Sequence, residues 1–169
     1  PCFVKPNGAG SSYGISKVNQ KLDLVTAINH ALEYDNRVLI EQSISGTEIS
    51  VGVFSTGKSI KTLPITEIFT ENEFFDYEAK YKGESEEITP ARISKNLTKY
   101  IQEETINIYK KMDLTGICRI DYIIKDNIPF IIEINTIPGL SEESIIPKQL
   151  RSANIRLSEV IDLCLNNVN

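Results

Sequence analysis

Residues 116–135 read Gly-Ile-Cys-Arg-Ile-Asp-Tyr-Ile-Ile-Lys, then Asp-Asn, then Ile-Pro-Phe-Ile-Ile-Glu-Ile-Asn. Two runs rich in β-branched and aromatic residues flank Asp126-Asn127, a pair that favours tight turns. A hairpin is predicted, with strands over 116–125 and 129–135. Strand side chains alternate faces, which groups Arg119 with Asp121 and Glu133 with Asn135. A hairpin centred on Asn127 places Asp121 opposite Glu133 and Arg119 opposite Asn135. One ribbon face then carries two carboxylates, an amide oxygen and a guanidinium. Adjacent carboxylates repel unless a cation or an arginine neutralises them. Two carboxylates and an amide oxygen are hard ligands of the kind Mg²⁺ takes while keeping waters and substrate phosphates. A cation site for a phosphate-bearing substrate and a structural ion network balanced by Arg119 both meet that requirement.

Upstream, Ser94 is placed to cap a helix running to about Met112, with Leu97, Ile101, Ile108 and Met112 on one stripe. Residues 70–85 have no period and are polar and aromatic-rich, long enough for a functional loop. Strands are predicted over 2–5, 15–18, 37–41, 48–54 and 59–68. The third reads as buried and the fourth as alternating. Leu22, Val25, Ile28, Ala31 and Leu32 recur at helical spacing, predicting a helix over 22–34. Downstream, Pro138-Gly139 makes a turn, followed by a short helix over 144–153 and a last one over about 157–167. Strands, hairpins and helices mixed in this order predict an α+β fold with a mainly antiparallel sheet.

The chain has 169 residues, enough for one domain or two small ones with a core of their own. Its net charge is −5, without a basic stripe, which argues against a nucleic-acid partner. Three cysteines, widely spaced, suit neither a disulfide framework nor a zinc site. Cys118 and Cys164 have apolar neighbours and read as buried free thiols, which points to a reducing, cytoplasmic setting. No apolar run is long enough to span a membrane. The chain opens on Pro1-Cys-Phe-Val-Lys-Pro6, without Met and already in a strand, so it is expected to be part of a longer protein.

Asn7-Gly-Ala-Gly-Ser-Ser-Tyr-Gly14 is glycine-rich between two strands. Its backbone N–H groups suit a phosphate, and a plain hairpin loop suits it equally. No Gly-Lys-Ser/Thr follows and the next element is a strand, which excludes a Walker A loop and a dinucleotide fingerprint. Lys5 ends the strand that feeds this loop, as a phosphate partner or a surface lysine. Glu41 ends an apolar strand, where it can accept from an adenine amino group or a ribose hydroxyl, or simply face solvent; Glu48 invites the same two readings. Lys80 and Tyr81 lie on the long loop, which can fold over a nucleotide or remain a solvent loop. His30 sits mid-helix without partners at ligand spacing, so no Ser/His/Asp or Cys/His nucleophile can be assembled.

The runs Phe3-Val-Lys-Pro-Asn-Gly-Ala-Gly-Ser-Ser-Tyr-Gly-Ile-Ser-Lys-Val18, Val38-Leu-Ile-Glu-Gln42, Gly46-Thr-Glu48, Phe75-Asp-Tyr-Glu-Ala-Lys-Tyr81, Gly116-Ile-Cys-Arg-Ile-Asp121 and Glu133-Ile-Asn-Thr-Ile-Pro-Gly139 occur in this order. Together they resemble the ATP-grasp enzymes, and within them the D-alanine–D-alanine ligases. The resemblance implies an ATP-grasp fold with helices flanking a mainly antiparallel sheet and part of a smaller lid subdomain. Residues 1–45 would be the second part of the central subdomain and 46–169 the C-terminal one, with the family's N-terminal domain absent. ATP would be bound by Lys5, Gly10, Ser11, Ser12, Glu41, Gln42, Glu48, Phe74 and Lys80. In that set Lys5 and the glycine loop meet phosphates, Glu41 accepts from adenine and Glu48 holds the ribose. Lys80 would steady the transferred phosphate. Two Mg²⁺ ions, or Mn²⁺, would be held by Asp121, Glu133 and Asn135. Arg119 and the Gly139 N–H would stabilise an oxyanion, Ser11 and Tyr81 would shape the catalytic site, and Ser144 would hold the second substrate's carboxylate.

The resemblance also implies the chemistry: ATP activates a D-alanine carboxylate as an acyl phosphate, and a second D-alanine amine attacks it. It implies D-alanine, ATP and the rest of its own polypeptide as partners, and a homodimer for the full-length enzyme. Tyr81 favours a D-alanine acceptor over D-lactate. The run Leu140-Ser-Glu-Glu-Ser144 departs from the family in being more acidic. With the preceding domain missing, the isolated chain is expected to bind Mg·ATP weakly and not to turn over. Another ATP-dependent carboxylate–amine ligase and a non-catalytic nucleotide-binding module are the alternatives.

Overall fold

The structure is a computed structural model that describes residues 1–70 and 85–166. Phe74, Lys80 and Tyr81 therefore lie outside the described residues. The chain divides into two compact units, one containing Pro1–Ser45 and the other Gly46–Phe69 with the residues from Glu86 onward.

In the first unit, β1 (Cys2–Pro6) is the middle of a three-stranded antiparallel sheet between β2 (Ser16–Val18) and β3 (Val38–Gln42). A 3₁₀ turn at Lys21–Asp23 leads into α1 (Leu24–Leu32). The core is small: Val4, Val18, Ala27 and Ala31, flanked by Leu24, Ile28 and Val38. The inward stripe of the helix is therefore 24, 27, 28 and 31. Leu22, Val25 and Leu32, predicted to face the core, are exposed. Alanines at the centre of the stripe bring α1 close to the sheet, and the larger side chains on either side are turned outward. The predicted buried strand at 37–41 is also corrected, because β3 is a sheet edge and Leu39 to Gln42 are exposed. A glycine is required at position 14, where φ is +73° and a Cβ would come within 2.6 Å of the Tyr34 ring.

The second unit is built on β4 (Thr47–Ser55), which pairs antiparallel with β5 (Ile60–Thr62) and β6 (Thr66–Thr70) on one side. Beyond β6 lies β7 (Ser85–Ile88). After the helix α2 (Lys95–Lys111), β8 (Ile117–Lys125) pairs with the other side of β4, and β9 (Ile128–Asn135) forms the far edge. The helices α3 (Ile145–Ser152) and α4 (Leu157–Asn166) close the chain. One sheet face carries Ile49, Val51, Val53, Cys118, Ile120 and Tyr122 against Ile101 and Tyr109 of α2. The other carries Phe54 and Leu63 against Ile146 and Leu150 of α3 and Val160 of α4. Each such buried side chain contributes about 1.5–3 kcal/mol over an exposed one. Helices on both faces explain why β4, predicted to alternate, is buried on both sides.

The single strand predicted over 59–68 is two. Pro64 offers no N–H to a ladder and splits it into β5 and β6, which share β4 as partner. The strand β7 was not predicted. Ser94 caps α2 as expected, accepting from the Leu97 N–H at 3.2 Å. Met112, placed on the inward stripe by its spacing, is exposed; Tyr109 takes that role and donates to the Gly116 carbonyl at 2.7 Å. Cys118 is buried and its thiol pKa is raised by burial. Cys164 is only half-buried, packed at the margin of the α3–α4 core, with its pKa raised by burial. His30 is half-exposed, edge-on to Tyr34.

The hairpin turn is tighter than one centred on Asn127. Asp126 and Asn127 both have positive φ, 52° and 62°, as a two-residue type I′ turn needs, and Lys125 pairs with Ile128. That register alone would put Asp121 opposite Ile132. An irregularity between Asp121 and Tyr122 absorbs one extra residue of β9, and beyond it Asp121 pairs with Glu133 and Arg119 with Asn135. A bulge of this kind re-aims the side chains that follow it.

Candidate functional site

The bulge brings Arg119, Asp121, Glu133 and Asn135 onto one face of the β8–β9 ribbon. Asp121 is almost fully buried, and its carboxylate is surrounded by donors. Arg119 gives Nε at 2.9 Å to Oδ1 and a terminal nitrogen at 2.7 Å to Oδ2. Asn135 Nδ2 reaches Asp121 Oδ2 at 2.9 Å and Glu133 Oε1 at 3.0 Å, so one amide nitrogen bridges the two carboxylates. Glu133 lies 3.8 Å from Arg119 and is half-exposed. Burial works against the Arg119 charge, yet the Asp121 hydrogen bonds, with Glu133 and Glu87 nearby, lift its pKa above the ordinary arginine value.

The sequence reading counts the Asn135 amide oxygen among three hard ligands; here the amide presents its nitrogen to the two carboxylates. Between two carboxylates only the NH₂ end is attractive. The donor set suits a hard divalent cation, since it offers two carboxylates and a carboxamide on one face without thiol or imidazole. Among the described residues no cluster of three or more His, Cys, Asp and Glu side chains gathers to hold a metal, and the third donor here is an amide. To offer its oxygen, that amide has to turn over.

Around this face stand residues the sequence did not single out. Ser50 on β4, fully buried and paired in register with Asp121, donates its hydroxyl to Oδ1 at 2.6 Å. Gln149 on α3 accepts from the Gly52 N–H at 3.0 Å and donates to the Ser50 carbonyl at 2.9 Å and Thr66 Oγ1 at 3.0 Å. These contacts fall where Pro64 interrupts the strand pairing, so the side chain stands in for a missing strand neighbour. A glutamine among Ile145, Ile146, Pro147 and Leu150 was the available sequence signal. Lys148 bridges Glu87 at 3.2 Å and Glu143 at 3.4 Å.

Gly139 is exposed, and a Cβ there would come within 2.8 Å of Ser144 Oγ. Ser144 occupies the N-cap position of α3, its hydroxyl 2.8 Å from that of Ser141. Glu48 lies on β4 between Ile68 and Ile123, half-buried. In the first unit, Lys5 and Glu41 are paired with each other at 2.7 Å across β1 and β3. Gln42 is exposed at the end of β3. Gly10 is open, with space around it, and Ser11 and Ser12 hold left-handed φ of 52° and 62°. Two consecutive residues other than glycine in that region store strain in the loop.

Antiparallel sheets backed by helices, with a glycine loop in one unit and an acidic, arginine-bearing strand pair in the other, define the ATP-grasp class. The family profile described as the D-ala D-ala ligase C-terminus matches residues 1–166. The D-alanine–D-alanine ligase of Flavobacterium johnsoniae is 52% identical over 160 residues, covering 95% of this chain and 50% of that protein. The crystal structure of the VanG D-Ala:D-Ser ligase from Enterococcus faecalis superposes with a TM-score of 0.84 at 34% identity, over 98% of this chain and 49% of the other. The D-alanine–D-alanine ligase from Bacillus anthracis complexed with ATP does so with a TM-score of 0.81 at 30% identity, over 98% and 51%. The chain belongs to the D-alanine–D-alanine ligase C-terminal family, and it spans about half the length of the curated relatives it matches.

Proposed function

We propose that this chain is the C-terminal portion of an ATP-dependent D-alanine–D-alanine ligase that makes the dipeptide for peptidoglycan. Residues 1–45 complete its central ATP-grasp subdomain and residues 46–169 form its C-terminal one. The observation that carries the reading is the convergence of Asp121, Glu133, Asn135 and Arg119 on one ribbon face. Asp121, Glu133 and Asn135 hold Mg²⁺ or Mn²⁺. Bound divalent cations supply screening between the substrate carboxylate and the γ-phosphate of ATP. Arg119 exchanges Asp121 for the oxyanion that forms when the second amine attacks the acyl phosphate, with the Gly139 N–H as the other donor.

Lys5 and the loop bearing Gly10, Ser11 and Ser12 receive ATP phosphates. The Lys5–Glu41 pair has to open for this, at small cost because a half-exposed ion pair contributes about 0–1 kcal/mol. Glu41, Gln42, Glu48 and Phe74 hold the nucleoside, Lys80 steadies the transferred phosphate, Ser11 and Tyr81 shape the substrate site, and Ser144 takes the acceptor carboxylate. The enzyme works in the cytoplasm as a homodimer. Among the described residues no helix is long and apolar enough to cross a membrane.

The test is Arg119→Ala in the full-length ligase. D-alanine-dependent phosphate release is expected to fall at least about 100-fold, the scale for losing one oxyanion donor, while ATP binding persists. Unchanged turnover would end this reading, and no turnover in the parent protein would favour a nucleotide-binding module. The isolated chain is expected to release no phosphate with D-alanine. The likeness to a D-Ala:D-Ser ligase supports a second reading, a different acceptor, and product analysis with D-alanine, D-serine and D-lactate separates the two.

A further inference from the structure

We infer that Ser50 is a positioning residue for the cation, holding the Asp121 carboxylate in one orientation through Oδ1. The inference rests on the proposed cation role of Asp121. Three residues donate to that carboxylate, and two of them have other work. Arg119 is released to the oxyanion, and Asn135 turns its amide to offer oxygen. Arg119 donates to both carboxylate oxygens, Nε to Oδ1 at 2.9 Å and a terminal nitrogen to Oδ2 at 2.7 Å, and Asn135 reaches Oδ2, which it bridges to Glu133. Ser50 alone approaches only Oδ1, at 2.6 Å, a short charge-assisted bond.

Ser50 cannot follow the others. Its side chain is fully buried, it is the cross-strand partner of Asp121, and its carbonyl is pinned by Gln149 Nε2 at 2.9 Å. With Arg119 and Asn135 redeployed, the Ser50 hydroxyl would remain on Oδ1 and keep the carboxylate from rotating. Donors behind a metal-ligating carboxylate typically change metal affinity by about 10–100-fold when removed. Gln149 extends the same support from α3 to β4, which ties the segment that begins at Ser144 to the acidic ribbon.

The experiment uses the full-length ligase with Mn²⁺ and the non-hydrolysable nucleotide ADPNP, reading free Mn²⁺ by electron paramagnetic resonance. Ser50→Ala is expected to weaken Mn²⁺ binding about 10–100-fold, with the apparent activation constant for Mg²⁺ raised in step and the KM for D-alanine unchanged. Ser50→Thr, which keeps the hydroxyl, is expected to bind Mn²⁺ far better than Ser50→Val, which has the same shape without it. That pair decides the matter if Ser50→Ala does not fold. Asp121→Asn is run alongside. If Asp121→Asn loses Mn²⁺ while Ser50→Ala and Ser50→Val bind it like the parent, the Ser50 inference is wrong and the cation site stands. If Asp121→Asn also binds Mn²⁺ normally, the cation site itself is wrong and the inference falls with it.

Discussion

Asn135 is the residue whose present chemistry differs most from its proposed one. Its NH₂ group now separates two carboxylates, and with a cation it would supply an oxygen instead. Asn135→Asp should therefore destabilise the protein in EDTA by about 1–3 kcal/mol, the range for losing hydrogen bonds to charged groups, with carboxylate repulsion added. Thermal melting in millimolar Mg²⁺ should recover much of that loss, because three carboxylates attract a divalent ion more strongly than two. An equal loss in EDTA and in Mg²⁺ would count against the cation reading. A second prediction concerns Glu67, nearly buried and held by Arg92 through Nε at 3.0 Å and a terminal nitrogen at 2.7 Å. The Arg92 hydrogen bonds lower the Glu67 pKa against the opposing effect of burial. Because the folded value lies below the unfolded one, its stabilisation is present above the ordinary value of 4.5 and disappears as pH falls through the lowered value. Glu67→Gln should melt below the parent at neutral pH, and the two melting curves should converge under acid.

The interruption between β5 and β6 is the feature of the second unit that depends most on a single side chain. Gln149 gives β4 hydrogen bonds where Pro64 interrupts the strand pairing, accepting from the Gly52 N–H and donating to the Ser50 carbonyl. Gln149→Leu keeps the volume but leaves the Gly52 N–H and the Ser50 carbonyl unpaired in the core, at about 1–3 kcal/mol for each. A clear drop in the urea midpoint at constant m-value is expected; a midpoint unchanged within error would show that water replaces the amide. The same element marks the limit of what the chain discloses by pattern alone. The hairpin, the Ser94 cap and the co-facial Asp121, Glu133 and Asn135 were legible, because alternation and turn chemistry are local. The bulge that delivers that register was not, since Ile131 and Ile132 read as one continuous strand. The predicted helix stripe held at Ile28 and Ala31 and failed at Leu22, Val25 and Leu32 for a related reason: hydropathy ranks these three above Ala27, whereas close packing on a small sheet selects the alanine. Ser50 and Gln149 acquire meaning only through partners 71 and 99 residues away.

Across the whole chain, each unit has its own core, and two tyrosines belong to the deeper one. Tyr109 and Tyr122 are buried, and their pKa values are pushed up to about 12, chiefly by burial. Their hydroxyls are occupied, Tyr109 with the Gly116 carbonyl at 2.7 Å and Tyr122 with Thr105 Oγ1 at 2.8 Å. The folded values exceed the unfolded value of 10.0, so both groups favour the fold below pH 10 and that advantage is lost as pH climbs toward 12. Tyr13, Tyr34 and Tyr100 are exposed. Phenolate absorbance should therefore show a late stage toward pH 12, accompanied by loss of the near-ultraviolet dichroism of the second unit. Replacing both Tyr109 and Tyr122 by Phe should remove the later stage. It should also flatten stability against pH in the alkaline range, at a neutral-pH cost of about 1 kcal/mol for each hydrogen bond lost. A later stage that survives the double replacement would mean that alkaline unfolding starts elsewhere in the chain, and that the α2–sheet core is not its most alkali-sensitive part.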